Sequence, residues 1–136
     1  GIFGEQYIMD ENDEIVGEHK PLLLTATKYG ITEIVNRAKE LGGVAYPAHI
    51  DRDINGILST LGFIPPELDI DNVEISVRAN EDFTMRDDLK KYRHLRASDA
   101  HRLEEIGVNP CRIHADEPTA AGIIRALRKT PAISHI

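Results

Sequence analysis

The sequence predicts an α/β fold in which mostly parallel strands alternate with helices. Three observations carry this. Val73-Glu74-Ile75-Ser76-Val77 alternates apolar and polar positions, the period of a half-buried strand. Ile34, Val35, Ala38 and Leu41 recur at helical spacing, and Gly42-Gly43 stops that helix just before Val44-Ala45-Tyr46. A helix–glycine–strand succession of this kind is the second half of a βαβ unit. The chain has 136 residues, enough for one ordinary domain. That length fits half of a (β/α) barrel or a small open sheet, since a full barrel takes about 250 residues.

The elements follow in order. Glu5 to Asp10 and Glu14 to Gly17 are short extended runs around the polar turn Glu11-Asn12-Asp13, which predicts a hairpin. The acid-rich tip lacks the glycine and the terminal glutamate of an EF-hand loop, so it reads as a solvated turn. Lys20 to Tyr29 fits either a short helix or a packed connector. Residues 1–29 thus form a hairpin and connector segment, and residues 30–136 hold the alternating strands and helices. Thr32 is the expected N-cap of the first helix, with Glu33 in its first turn. Val44–Tyr46 reads as a short buried strand. Ile54, Ile57, Leu58 and Leu61 suggest a helix within Asp51–Leu61, broken by Gly62 and Pro65-Pro66. After the Val73–Val77 strand, Met85–Tyr92 reads as a charged helix anchored by Leu89 and Tyr92. Leu95–Ser98 reads as a strand ending in Asp99, and Cys111–His114 as a weaker one. Thr119–Lys129 closes with a helix whose apolar face is Ile123, Ile124 and Leu127.

Composition narrows the function classes. Hydrophobic residues make up 41% and aromatics only 5%, with no Trp, so the core rests on Ile, Leu, Val and Ala. The net charge of −7 disfavours a non-specific nucleic-acid surface, because a phosphate backbone would be repelled. A metal site that handles phosphate stays open, since a bound cation reverses the local field. No run approaches the roughly 20 apolar residues of a membrane span, and no signal peptide is visible. A single cysteine, Cys111, allows no intrachain disulfide, which makes the cytoplasm the expected compartment. Cys111 itself reads as an inert thiol or, less simply, as a ligand or nucleophile.

The residues that bear chemistry lie just past the expected strands. Asp99 and His101 are two apart, and on an extended segment residues i and i+2 point the same way. A carboxylate and an imidazole together suit Zn, Mn or Fe. His49 follows Tyr46-Pro47-Ala48, where the residue before proline favours extended geometry. It reads as a metal ligand or as a hydrogen-bonded structural residue. Arg52 offers a planar fork to a phosphate or carboxylate, or pairs with its neighbours Asp51 and Asp53. Glu74, inside its strand, faces away from Val73 and Ile75 and is costly there unless paired or near a cation. His19, His94, His114 and His135 lack a partner at ligand spacing. Glu104 and Glu105 read as the first turn of a helix.

Gly42-Gly43-Val44-Ala45-Tyr46-Pro47-Ala48-His49 and Ser98-Asp99-Ala100-His101, with Ile106-Gly107 after it, resemble the third and fourth motifs of the PHP (polymerase and histidinol phosphatase) domain. Val73-Glu74-Ile75-Ser76 resembles the strand preceding the fourth motif. The resemblance spans residues 30 to 129. It implies a distorted seven-stranded (β/α) barrel with a cluster of divalent metal ions at the C-terminal ends of its strands. It also implies hydrolysis of phosphate esters by metal-activated water. By resemblance His49, Asp99 and His101 are metal ligands; Asp99 and His101 are also the candidate catalytic residues, and Arg52, read from its planar fork, is the cofactor-binding candidate. The chain contains no His-x-His, the family's first motif, and its length suits only the C-terminal half of such a domain. The expectation is therefore a fragment, close to inactive alone, whose partner is the missing N-terminal half. Its substrate would be a phosphorylated small molecule or a nucleotide, and its open sheet edge would favour self-association. The alternative is a non-catalytic PHP-like module that binds a nucleotide or a protein.

Overall fold

A computed structural model describes residues 4–108 and 111–128. The chain divides into two compact units, Gly1–Gly30 and Ile31–Ile136. In the first, strands β1 (Tyr7–Met9) and β2 (Ile15–Glu18) pair antiparallel, with Tyr7 opposite Glu18 and an irregularity between Ile8 and Met9. Asp10 closes the turn: its Oδ1 accepts from the N–H of Asn12 at 2.8 Å and of Glu14 at 3.0 Å, while Asp13 sits at φ 64°. Gln6 ties down the connector, donating to the carbonyls of His19 and Pro21 and accepting from the N–H of Leu23. Residues 20–29 form turns rather than a helix.

The second unit holds helices α1 (Ile31–Glu40), α2 (Ile57–Leu61), α3 (Glu81–Thr84) and α4 (Ala120–Arg128), and strands β3 (Asn72–Ser76) and β4 (Arg93–Ala97). β3 and β4 pair parallel in register, from Asn72 opposite Arg93 to Ser76 opposite Ala97. Val73 and Ile75 are fully buried on one face and pack with Val35, Ile50, Ile57, Leu68, Leu89 and neighbours. Full burial of such a side chain stabilises by about 1.5–3 kcal/mol. The opposite face of β3 presents Asn72, Glu74 and Ser76.

Both long helices end on specific polar contacts. Gly42, at φ 84°, lets α1 turn out of its helix. The N–H of Gly43 then reaches the carbonyl of Ala38, and that of Gly42 reaches Lys39, the paired bonds of a Schellman motif. α4 starts on Thr119, whose Oγ1 accepts from the N–H of Gly122 at 3.0 Å. Its last carbonyls are taken by the N-terminal residues of the strands: Asn72 Nδ2 donates to Leu127 O at 2.7 Å and Arg93 to Ala126 O at 2.8 Å. Arg128 in turn donates to the carbonyls of Gly43 and Lys39 at the end of α1. α4 is therefore joined both to the strand pair and to α1.

Several sequence expectations change. α1 begins at Ile31, so Thr32 lies within the first turn and is not the N-cap. Of its apolar face Val35 is buried, whereas Ile34 is half-exposed and Leu41, past the helix end, is exposed. Val44–Tyr46 is not a strand, because Pro47 has no N–H and interrupts a ladder there. The helix expected over 51–61 shrinks to α2, because Asn55 at φ 60° leaves the helical region. The helix expected at 85–92 is a set of turns, Leu89 N–H to Arg86 O and Tyr92 N–H to Leu89 O, although both anchors are buried. α3 lies just before it, where Asn80 Oδ1 accepts from the Phe83 N–H at 2.8 Å. Cys111–His114 is exposed and unpaired as a strand. Among the described residues the parallel strands therefore number two, β3 and β4. Lys129, the expected end of the last helix, and His135 lie outside the described residues. No helix among the described residues is long and apolar enough to cross a membrane.

Candidate functional site

The site forms on the segment beside β3 and at the C-terminal ends of β3 and β4. The N–H of Glu74 donates to Pro47 O at 2.9 Å, and the N–H of Ile50 donates to Glu74 O at 3.0 Å. A parallel partner offers a carbonyl and an N–H two residues apart. Here they are three residues apart, so Pro47–Ile50 carries one extra residue. His49 absorbs the difference with φ 45°. The resulting bulge aims the imidazole along β3, with Nδ1 2.7 Å from Oε1 of Glu74 and Nε2 3.3 Å from Oδ1 of Asp99. The approach of Nδ1 to Glu74 lacks hydrogen-bond alignment, and both atoms are buried with no directed partner.

Asp99, two residues past β4, also has a positive φ, 49°. Its carboxylate pairs with the guanidinium of Arg52 through Oδ2 and with His49 through Oδ1. His101 Nε2 lies 3.8 Å from Asp99 Oδ2, on a side chain that is 79% exposed. The Asp99 carboxyl is held below the ordinary carboxylate range. Burial pushes it up, but the hydrogen bond from Arg52 and the charges of His49, Arg52 and His101 outweigh that. Burial raises the Tyr46 phenol above its usual value, and Glu74 and Cys111 add to the rise.

The supporting backbone is tightly determined. Arg52 N–H donates to His49 O, and a Cβ on Gly56 would sit 3.1 Å from the carbonyls of both His49 and Arg52. Asp51 turns away from its neighbour and clamps the end of β3, accepting from Ser76 N–H at 2.7 Å and from Ser76 Oγ. Glu105, in the 3-10 turn Leu103–Glu105, accepts from the N–H of His101 at 2.8 Å and of Arg102 at 3.2 Å. An open cleft of about 620 Å³ lies beside this cluster, with Arg52, Asp99, His101, Arg78 and Phe83 on its walls.

The structure thus brings His49, Arg52, Glu74 and Asp99 into contact and leaves His101 at the rim. Arg52 pairs with Asp99, 47 residues away, and not with Asp51 or Asp53. His94 is structural: its Nε2 lies 3.1 Å from Leu89 O. Among the described residues no group of three or more His, Cys, Asp or Glu side chains is set to hold a metal ion as they stand. Sequence reasoning missed the clamp of Asp51 on Ser76, the close approach at Gly56 and the place of Arg78 in the cleft. The position of Arg78 directly after the alternating Val73–Val77 run was the available signal.

No curated protein and no solved structure matches the chain significantly. A family model described as PHP-associated matches residues 91–130, a span that includes β4, Asp99, His101 and α4. Over those residues the chain is similar to a PHP-associated C-terminal region.

Proposed function

We propose that the chain carries part of the site of a metal-dependent phosphoesterase. One observation carries this reading: His49 and Asp99, far apart in sequence and both in the left-handed region, meet beside parallel strands at the end where α/β proteins bind ligands. Non-glycine residues in that region cost free energy that the surrounding structure must offset, and such residues cluster at sites. The donor types, imidazole and carboxylate, are those that suit a divalent ion, although among the described residues they are not set to hold one as they stand. His49, Asp99 and His101 would hold Zn, Mn or Fe. Such an ion, when bound, supplies Lewis acidity toward a phosphoryl group. Arg52 keeps Asp99 ionised and has further N–H donors for a phosphate oxygen. Glu74 lies against the second ring nitrogen of His49, the place of a residue that orients a ligating imidazole.

The reading includes the expectation that these residues are only part of a larger ligand set. The test is phosphoesterase turnover with Mn or Zn by the full gene product and by its Asp99→Ala, His101→Ala double variant. A loss of two orders of magnitude or more is expected in the variant, and unchanged turnover would overturn the reading. The 136-residue chain alone is expected to be nearly inactive, and full turnover by it would overturn the fragment reading. One observation favours a second reading, a non-catalytic PHP-like module: both carboxylate oxygens of Asp99 already have protein partners, Arg52 and His49. A metal-independent, inactive gene product would support it. Among the described residues β4 pairs only with β3, and its other side is the expected route of self-association, which light scattering would register as a mass above that of the monomer.

A further inference from the structure

Arg78 stands on the turn that leaves β3, on the wall of the 620 Å³ cleft that Asp99 and His101 also line. Its backbone is fixed: its N–H donates to Ser76 Oγ at 3.2 Å, and that hydroxyl donates to Asp51. Its guanidinium is different from the other cations of the cleft. Arg52 is paired with Asp99, and His101 also faces Asp99. Among the described residues Arg78 has no carboxylate or carbonyl partner for its side chain, in a chain with 23 acidic and 16 basic residues. Most other arginines of this unit are engaged: Arg37 with Glu33, Arg86 with Asp88, Arg125 with Glu117, Arg128 with Gly43.

We propose that Arg78 is the anion-recognition residue of this cleft, holding a phosphate group of the ligand in bidentate fashion. Two features point to it. The hydrogen bonds through Ser76 and Asp51 hold the Arg78 backbone, which fixes where the exposed arginine fork leaves the cleft wall. Of the acids on the cleft wall, Asp51 is bound to Ser76 and Asp99 to Arg52, and among the described residues the only uncommitted guanidinium there is that of Arg78. An anion entering the cleft therefore meets Arg78 without displacing an existing ion pair. The choice of phosphate as the anion rests on the phosphoesterase reading, whereas the recognition step itself requires neither metal nor turnover.

The test is binding of inorganic phosphate and of glycerol 3-phosphate to the 136-residue chain in the presence of EDTA, followed by two-dimensional NMR. Saturable shifts are expected at the amides of Arg78 and Ala79. Charge-assisted bonds of this kind contribute about 1.5–3 kcal/mol, so Arg78→Gln is expected to weaken binding roughly 10- to 100-fold. Arg112→Gln, at an exposed position outside the cleft, is expected to leave it unchanged. Absence of saturable binding, equal affinity in Arg78→Gln, or an equal loss in Arg112→Gln would each overturn the proposal. Because the assay excludes metal, an inactive gene product that still binds phosphate through Arg78 would sink the phosphoesterase reading and leave this one standing.

Discussion

At the scale of single residues, the Arg52–Asp99 pair governs the charge of the site. Asp99 is the usual acidic case: its folded value lies below its unfolded one. The associated stability is present above the unfolded value and is lost as pH falls through the folded one. An NMR titration of the Asp99 carboxyl should therefore show a midpoint below the ordinary carboxylate range, and Arg52→Gln should move it upward. An unmoved midpoint in the variant would show that burial and the histidines set it instead. The pair is half-exposed on the arginine side, so its contribution to overall stability is small. Gly56 has the opposite character, a residue whose lack of a side chain matters. A Cβ there would press on the carbonyls of His49 and Arg52 at 3.1 Å. Gly56→Ala should displace the loop that carries both, seen as amide shifts at residues 49–52 out of proportion to any loss of thermal stability.

At the scale of elements, the meeting of α4 with the strand pair depends on a few polar groups. Asn72 is 1% exposed and gives its amide N–H to the carbonyl of Leu127. Leaving that buried carbonyl without a donor costs about 1–3 kcal/mol, so Asn72→Ala should lower denaturant stability by that amount. An unchanged midpoint would mean that α4 carries no load in this unit. The helices also show where sequence pattern succeeds. The Gly42-Gly43 pair was legible as a stop because a left-handed cap needs glycine, and the alternation around Glu74 was legible because Val73 and Ile75 are buried to completion. The 85–92 segment misled because Leu89 and Tyr92, three apart, satisfy both a helix and a pair of successive turns. Spacing alone does not separate these.

At the scale of the whole molecule, one buried strand pair holds the core and points the site residues. Ile75→Ala should cost about 2–5 kcal/mol, a large part of the roughly 5–15 kcal/mol that stabilises a domain. Circular dichroism melts should register it as loss of much of the transition, with the site lost in the same step. The sequence by itself marked the candidate residues: His49, Arg52, Glu74, Asp99 and His101 stand out by residue type and by their places in or after apolar runs, and local patterning also placed β3, β4 and α4 within a few residues. Only the tertiary structure decided how those residues meet. The bulge at His49, the reach of Arg52 to Asp99 in place of Asp51, and the uncommitted guanidinium of Arg78 all depend on contacts between segments distant in sequence. Such pairings follow from backbone geometry and burial, which residue order does not encode locally.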